Sequence, residues 1–134
     1  MPPLEGEHTL NMPGETHIPG WLVRTEVLKE APADLPDGGL EACLDLESTG
    51  AKLGVRTRKR GDRFQPLGMT GARKLHDLLV DEKVPRHWRD RVPLVVSERG
   101  IAWVVGYRIA HWARVREETR SVLGIAFRPE RQAG

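Results

Sequence analysis

In the first fifty residues, apolar side chains come in short runs cut by proline and glycine. HTLNMPGETHIPGWLVRTEVL holds two extended runs, with partial alternation through Trp21, Val23, Thr25 and Val27, and predicts a hairpin or meander. KEAPADLPDGGL has two prolines, a DGG turn signal and no apolar period, so it reads as a loop. LEACLDL and KLGVRTR read as short strands with ESTGA turning between them, and RKRGDR as a tight basic turn around Gly61. In GMTGARKLHDLLVDEKVP, Leu75, Leu78 and Leu79 fall at i, i+3 and i+4. That spacing predicts a helix entered through a glycine-rich turn, with Met69 and Ala72 on its approach and Pro85 as its stop. PRHWRDRVP predicts a second, shorter helix with Pro85 at its first position. PLVVSERGIAWVVG has the form of a β-hairpin turning at Glu98, Arg99 and Gly100, and SVLGIAFRP reads as a final strand.

Strands with two helices between them predict an α+β fold of small antiparallel β-sheets packed with two short helices. A length of 134 residues suits one small domain with an appended segment. The pattern divides the chain into N-terminal strands and a loop at 1–50, packing on a main domain at 51–129, with a loose tail at 130–134. The N-terminal strands are expected to pack, because WLVRTEVL and LEACLDL expose too much apolar surface if left free.

Charge changes the picture more than overall composition does. Hydrophobic residues make up 39% and charged residues 30%, and the formal net charge is +2. Residues 1–50 carry two bases against ten acids, and residues 51–134 carry nineteen bases against nine acids. So lopsided a division suggests an anionic partner for the second part. The start MPPLEGEHTL has neither a basic region nor an apolar run for export, and no run approaches the roughly 20 apolar residues that cross a bilayer. The expected location is the cytoplasm, with no membrane partner. The lone Cys43 excludes an intrachain disulfide and reads as a small buried hydrophobe.

The five histidines show no HxxxH or HExxH spacing, and one cysteine cannot complete a thiolate site, so no metal site is expected. Asp62, beside Arg60 and Arg63, is either a carboxylate with a depressed pKa or a turn aspartate accepting backbone N–H groups; the second is the commoner role for a GD pair. PLGMTGARK resembles a phosphate-cradling turn but lacks the GxxxxGK[ST] pattern. The surrounding charge strengthens it: residues 54–93 hold eleven bases against five acids. In a strand, Arg56, Arg58 and Arg60 would share one face and match a ladder of phosphates. The competing reading is a solvated charged face. Of the tryptophans, Trp103 is expected in the core, and Trp88 is the better surface candidate for stacking on bases.

The ordered run RxRxxGDRFxPxGMxGxRKL, followed by DEKVP, RDRVPL and GIAWVVGYRIA, resembles the C-terminal domain of bacterial tRNA(Ile)-lysidine synthetases, strongly over 51–129 and more loosely from His8 to Leu46. The resemblance implies a fold like a domain of the phenylalanyl-tRNA synthetase β subunit. It also implies a noncatalytic role in binding tRNA, isoleucine tRNA near the acceptor stem, for a ligase that joins lysine to the wobble cytidine using ATP. The family's SGGxDS loop does not occur in this sequence. ATP and magnesium are therefore expected in a separate catalytic domain, with no cofactor in this chain. Carried over by position, Arg56, Arg58, Arg60, Arg63, Arg73, Lys74, Lys83, Arg86 and Arg89 would meet tRNA phosphates, and Gly61, Asp62, Pro66, Gly68 and Gly71 would shape the loop. Two alternatives stay open: a module that docks on the catalytic domain or forms a homodimer, and an independent enzyme acting on a phosphorylated metabolite.

Overall fold

Alternating burial decides which face of each strand turns inward. In the computed structural model, which describes residues 6–36 and 39–130, the elements run β1 (His8–Thr9), β2 (Gly14–Ile18), β3 (Trp21–Leu28), β4 (Glu41–Asp45), α1 (Leu46–Thr49), β5 (Gly54–Arg56), β6 (Arg63–Phe64), β7 (Arg73–Lys74), α2 (Leu75–Asp81), β8 (Leu94–Ser97), β9 (Gly100–Val104), β10 (Arg108–Ile109) and β11 (Val122–Pro129). Two short 3-10 turns lie at Arg86–Trp88 and His111–Ala113. Small antiparallel sheets with few helices result, as the pattern predicts.

The strands form a five-stranded sheet, β1-β5-β8-β9-β10, a four-stranded sheet, β2-β3-β11-β4, and the two-stranded ribbon β6-β7. In the four-stranded sheet, Val23 lies opposite Phe127, and Ile125 is flanked by Thr25 and Ala42. All of these are buried. Thr25, the polar member of that face, donates its hydroxyl to the Asn11 carbonyl at 2.6 Å, so its burial leaves no donor unmet. Strands β8 and β9 are buried almost throughout, as expected where a sheet is covered on both faces. Trp103 of β9 meets Phe127 of β11 edge-on at 5.4 Å, which joins the two sheets in one core. Leu75, Leu78 and Leu79 of α2 belong to the same cluster.

The chain ends are interleaved. Residues up to 50 supply three strands of the second sheet, but β11, from the far end of the chain, lies between two of them. Likewise β1 pairs with β5. The tail expected at 130–134 lies outside the described residues except for Glu130, whose N–H donates to the Gly20 carbonyl and whose carboxylate lies 3.0 Å from His17 Nδ1.

Four local expectations need correction. ESTGA is not a plain turn: Asp45, 1% exposed, caps helix α1 by accepting the Glu47 N–H, and Gly50 ends it at φ +75°. Helix α2 begins only at Leu75, because Arg73 and Lys74 pair with Phe64 and Arg63, and Met69 and Ala72 stay exposed. It stops before Pro85 is reached, with Lys83 at φ +59°. The expected second helix is a single 3-10 turn with Pro85 at its cap. Cys43 is buried, and burial, then the charges of Glu26 and Glu41, push its thiol above the usual range.

A chain starting at Lys52 would leave β11 without either neighbour and uncover Ile125 and Phe127. It is expected to lose cooperative thermal unfolding, followed by circular dichroism. A transition matching that of the whole chain would show that the N-terminal strands are dispensable.

Candidate nucleic-acid interface

Strand β5 ends at Arg56, and the chain then turns through residues 59–62, closed by the Asp62 N–H donating to the Lys59 carbonyl at 3.1 Å. Gly61, third residue of the turn, sits at φ +89°, the conformation a type II turn requires there. Asp62 then fixes the turn from inside. Its carboxylate receives both Arg56 guanidinium nitrogens, at 2.9 and 3.1 Å, and the Lys59 N–H at 2.7 Å. Arg56 and Asp62 side chains are each only 14% exposed. Burial by itself raises the Asp62 pKa, but the Arg56 and Lys59 hydrogen bonds and the charges of both residues outweigh it and hold the carboxyl below its ordinary value. Asp62 therefore combines both roles open in the sequence, with Arg56, rather than Arg60 or Arg63, as its partner. The Asp62 carbonyl also accepts the Leu75 N–H, tying the turn to the start of α2.

This arrangement removes the expected ladder. Because β5 stops at Arg56, the alternation that would align Arg56, Arg58 and Arg60 does not continue, and Arg56 faces inward. What forms instead is a recess of about 650 Å³ lined by Arg58, Lys59, Arg60, Arg63, Lys74 and His76 together with the acids Asp62 and Asp90. Arg58 is held there by Asp90 at 2.7 Å and lies 3.2 Å from His76 Nδ1. Arg63 gives one N–H to the Ala72 carbonyl at 3.2 Å and stays exposed. Lys59, Arg60 and Lys74 are exposed; the Lys59 charge acts on Asp62, and Arg60 and Lys74 form no ion pair with an acid among the described residues.

The other carried-over bases lie outside the recess lining. Arg73 pairs with Asp81, and Arg89 donates to the Val84 carbonyl, so both are spent on local structure. Lys83 and Arg86 are exposed. Lys59 and His76, absent from the positions the family motif supplies, do line the recess. Lys59 is one of the eleven bases that the charge pattern places around this turn, and it is the turn's first residue. Among the loop-shaping residues, buried Pro66 bridges to Ala110, and Gly68, at φ +84°, donates its N–H to His111 Nδ1 at 3.1 Å. The loop is thereby docked on the segment after β10. Gly71 has an ordinary φ and open space around it. Among the described residues no three His, Cys, Asp or Glu side chains converge as metal ligands.

A family model described as the TilS substrate C-terminal domain matches residues 53–124, from just before β5 into β11. The chain belongs to this family. The tRNA(Ile)-lysidine synthase of Dehalococcoides mccartyi is 48% identical over 128 residues, 95% of this chain and 27% of the relative. That of Symbiobacterium thermophilum is 42% identical over 137 residues, 98% of this chain and 28% of the relative. The chain thus spans about a quarter of the length of these curated relatives. A crystal structure of a TILS C-terminal domain superimposes with a TM-score of 0.77 at 25% identity, covering 95% of this chain and 100% of that one. An N-terminal fragment of the Pyrococcus horikoshii phenylalanyl-tRNA synthetase β subunit shares the fold, with a TM-score of 0.55 at 16% identity over 65% of this chain and 27% of that one.

Asp62→Asn keeps the shape of the TilS-family turn but loses the ionic fork, and is expected to cost about 3 kcal/mol in urea unfolding. The sign with pH follows from the lowered folded-state pKa. The Asp62 contribution is complete above the unfolded value and lost as pH falls through the folded one, so the asparagine variant should show a shallower loss of stability on acidification. Equal acid limbs in both proteins would contradict the pairing. Gly61→Val meets open space but must adopt φ +89°, and is expected to cost about 1–2 kcal/mol by the same measurement.

Proposed function

We propose that the chain is the noncatalytic tRNA-binding part of a tRNA(Ile)-lysidine synthase, the ligase that attaches lysine to the wobble cytidine of isoleucine tRNA using ATP. One observation carries the reading: exposed Arg60 and Lys74 stand on an open recess whose two lining acids, Asp62 and Asp90, are already bound by Arg56 and Arg58. A solvated charged face gains by mixing signs, as Arg58 with Asp90 and Arg73 with Asp81 do nearby. Cations with no ion-pair partner of their own, beside a fixed turn, suit phosphates instead, because their positions are set before the partner arrives. In this reading the recess meets the RNA backbone towards the acceptor stem. ATP and magnesium belong to the catalytic domain of the same cytoplasmic enzyme, which is the second partner.

Affinity for tRNA should fall steeply with salt, and Arg60→Ala with Lys74→Ala should lower the slope of log K against log salt by about two. Fluorescence anisotropy at several salt concentrations measures this, beside circular dichroism to confirm folding. Both residues are exposed, so stability should change by no more than about 0.5 kcal/mol. A folded double variant with unchanged affinity and slope would move the recess from RNA binding to docking on the catalytic domain. The chain alone, given tRNA, lysine, ATP and magnesium, should incorporate no lysine; labelled lysine retained on tRNA would contradict the noncatalytic role.

A further inference from the structure

A second recess, of about 250 Å³, is also lined from residues 85–93, and its lining is rich in aromatic and apolar residues: Trp21, Trp88, Tyr107, Pro93 and Leu40, with Arg91 among others. Its floor is fixed by the core, since Trp21 packs edge-on to Phe127 at 5.6 Å. Trp88 forms a wall. It ends the 3-10 turn Arg86–Trp88, held by its N–H to the Pro85 carbonyl at 2.8 Å and by the Arg91 N–H to its own carbonyl at 2.9 Å.

Its environment is unlike that of the other tryptophans. Trp21 and Trp103 are 5% and 2% exposed, and Trp112 lies under the Arg99 guanidinium at 4.7 Å. Trp88 is 36% exposed and has the Arg91 guanidinium 5.6 Å from its ring centre, with exposed Arg86 two residues before it. An exposed indole that walls an apolar slot matches a flat nucleobase stacked on its ring. The position adds the second argument. Asp90, which holds Arg58 at the cationic recess, lies between Trp88 and Arg91, so one short segment walls both recesses.

We infer that the aromatic recess is a stacking site for an unpaired nucleobase, taken from an RNA strand whose phosphates continue across the cationic recess. This rests on the RNA-binding reading above and extends it: the cations hold the backbone irrespective of sequence, and Trp88 adds selection for RNA in which a single strand leaves a duplex. A fully paired end keeps its bases stacked on each other and offers the slot nothing.

The test compares a blunt RNA duplex with the same duplex carrying a short 3′ single-stranded overhang, by anisotropy at constant salt. The whole chain should bind the overhang form about tenfold more tightly. Trp88→Ala should erase that difference while leaving affinity and salt slope for the blunt duplex unchanged. Trp88→Phe should retain part of it. Overhang binding should quench tryptophan fluorescence in the wild type and not in Trp88→Phe. If the wild type binds both duplexes equally, or Trp88→Ala weakens both by the same factor while folded, the stacking site is overturned and the phosphate reading stands. If neither duplex shows salt-dependent binding, the phosphate reading itself fails. Should Trp88→Ala unfold, the wild-type comparison and Trp88→Phe decide alone.

Discussion

The half-buried pair of Arg56 and Asp62 is the contact on which the basic surface depends. Two charges taken from water gain little unless their geometry is good and their remaining hydrogen-bonding capacity is met. Here both conditions hold: the fork is bidentate, Arg56 also donates to the Thr57 carbonyl, and Asp62 also receives the Lys59 N–H. The pair closes the end of β5 onto the turn, while the Asp62 carbonyl receives the first residue of α2. Lys59, Arg60, Arg63 and Lys74 are exposed around a frame that cannot shift without exposing a buried charge.

The positive charge of this chain therefore divides into two groups. Arg56, Arg58, Arg73 and Arg89 hold the scaffold, each against a carboxylate or a backbone carbonyl. Arg60 and Lys74 are exposed and form no ion pair with an acid among the described residues. Residue type does not separate the two groups, since arginine occurs in both; an engaged side chain does. A count of bases along residues 54–93 overstates the positive charge that is exposed and unengaged.

Much of the fold was legible because local rules were enough. The β8–β9 hairpin follows from two apolar runs around Glu98 and Arg99, and the apolar stripe of α2 from Leu75, Leu78 and Leu79. Gly61 announced its turn. The strand order was not legible: β11 pairs with β3 and β4 across most of the chain, and no periodicity in either run names its partner. The direction of Arg56 was lost for a related reason. Alternation applies only while a strand lasts, and β5 lasts three residues. The family motif then carried Arg56 to the phosphates and passed over Lys59, because a motif records residue identity without saying which side chain is already engaged.

The most direct measurement is a map of backbone amide chemical shifts during titration with tRNA at low salt. The account predicts that the largest changes fall on residues 58–63, on Lys74 and His76, and on the segment 86–91, with the four-stranded sheet little affected. Changes confined to that sheet, with residues 58–63 unmoved at saturation, would contradict it.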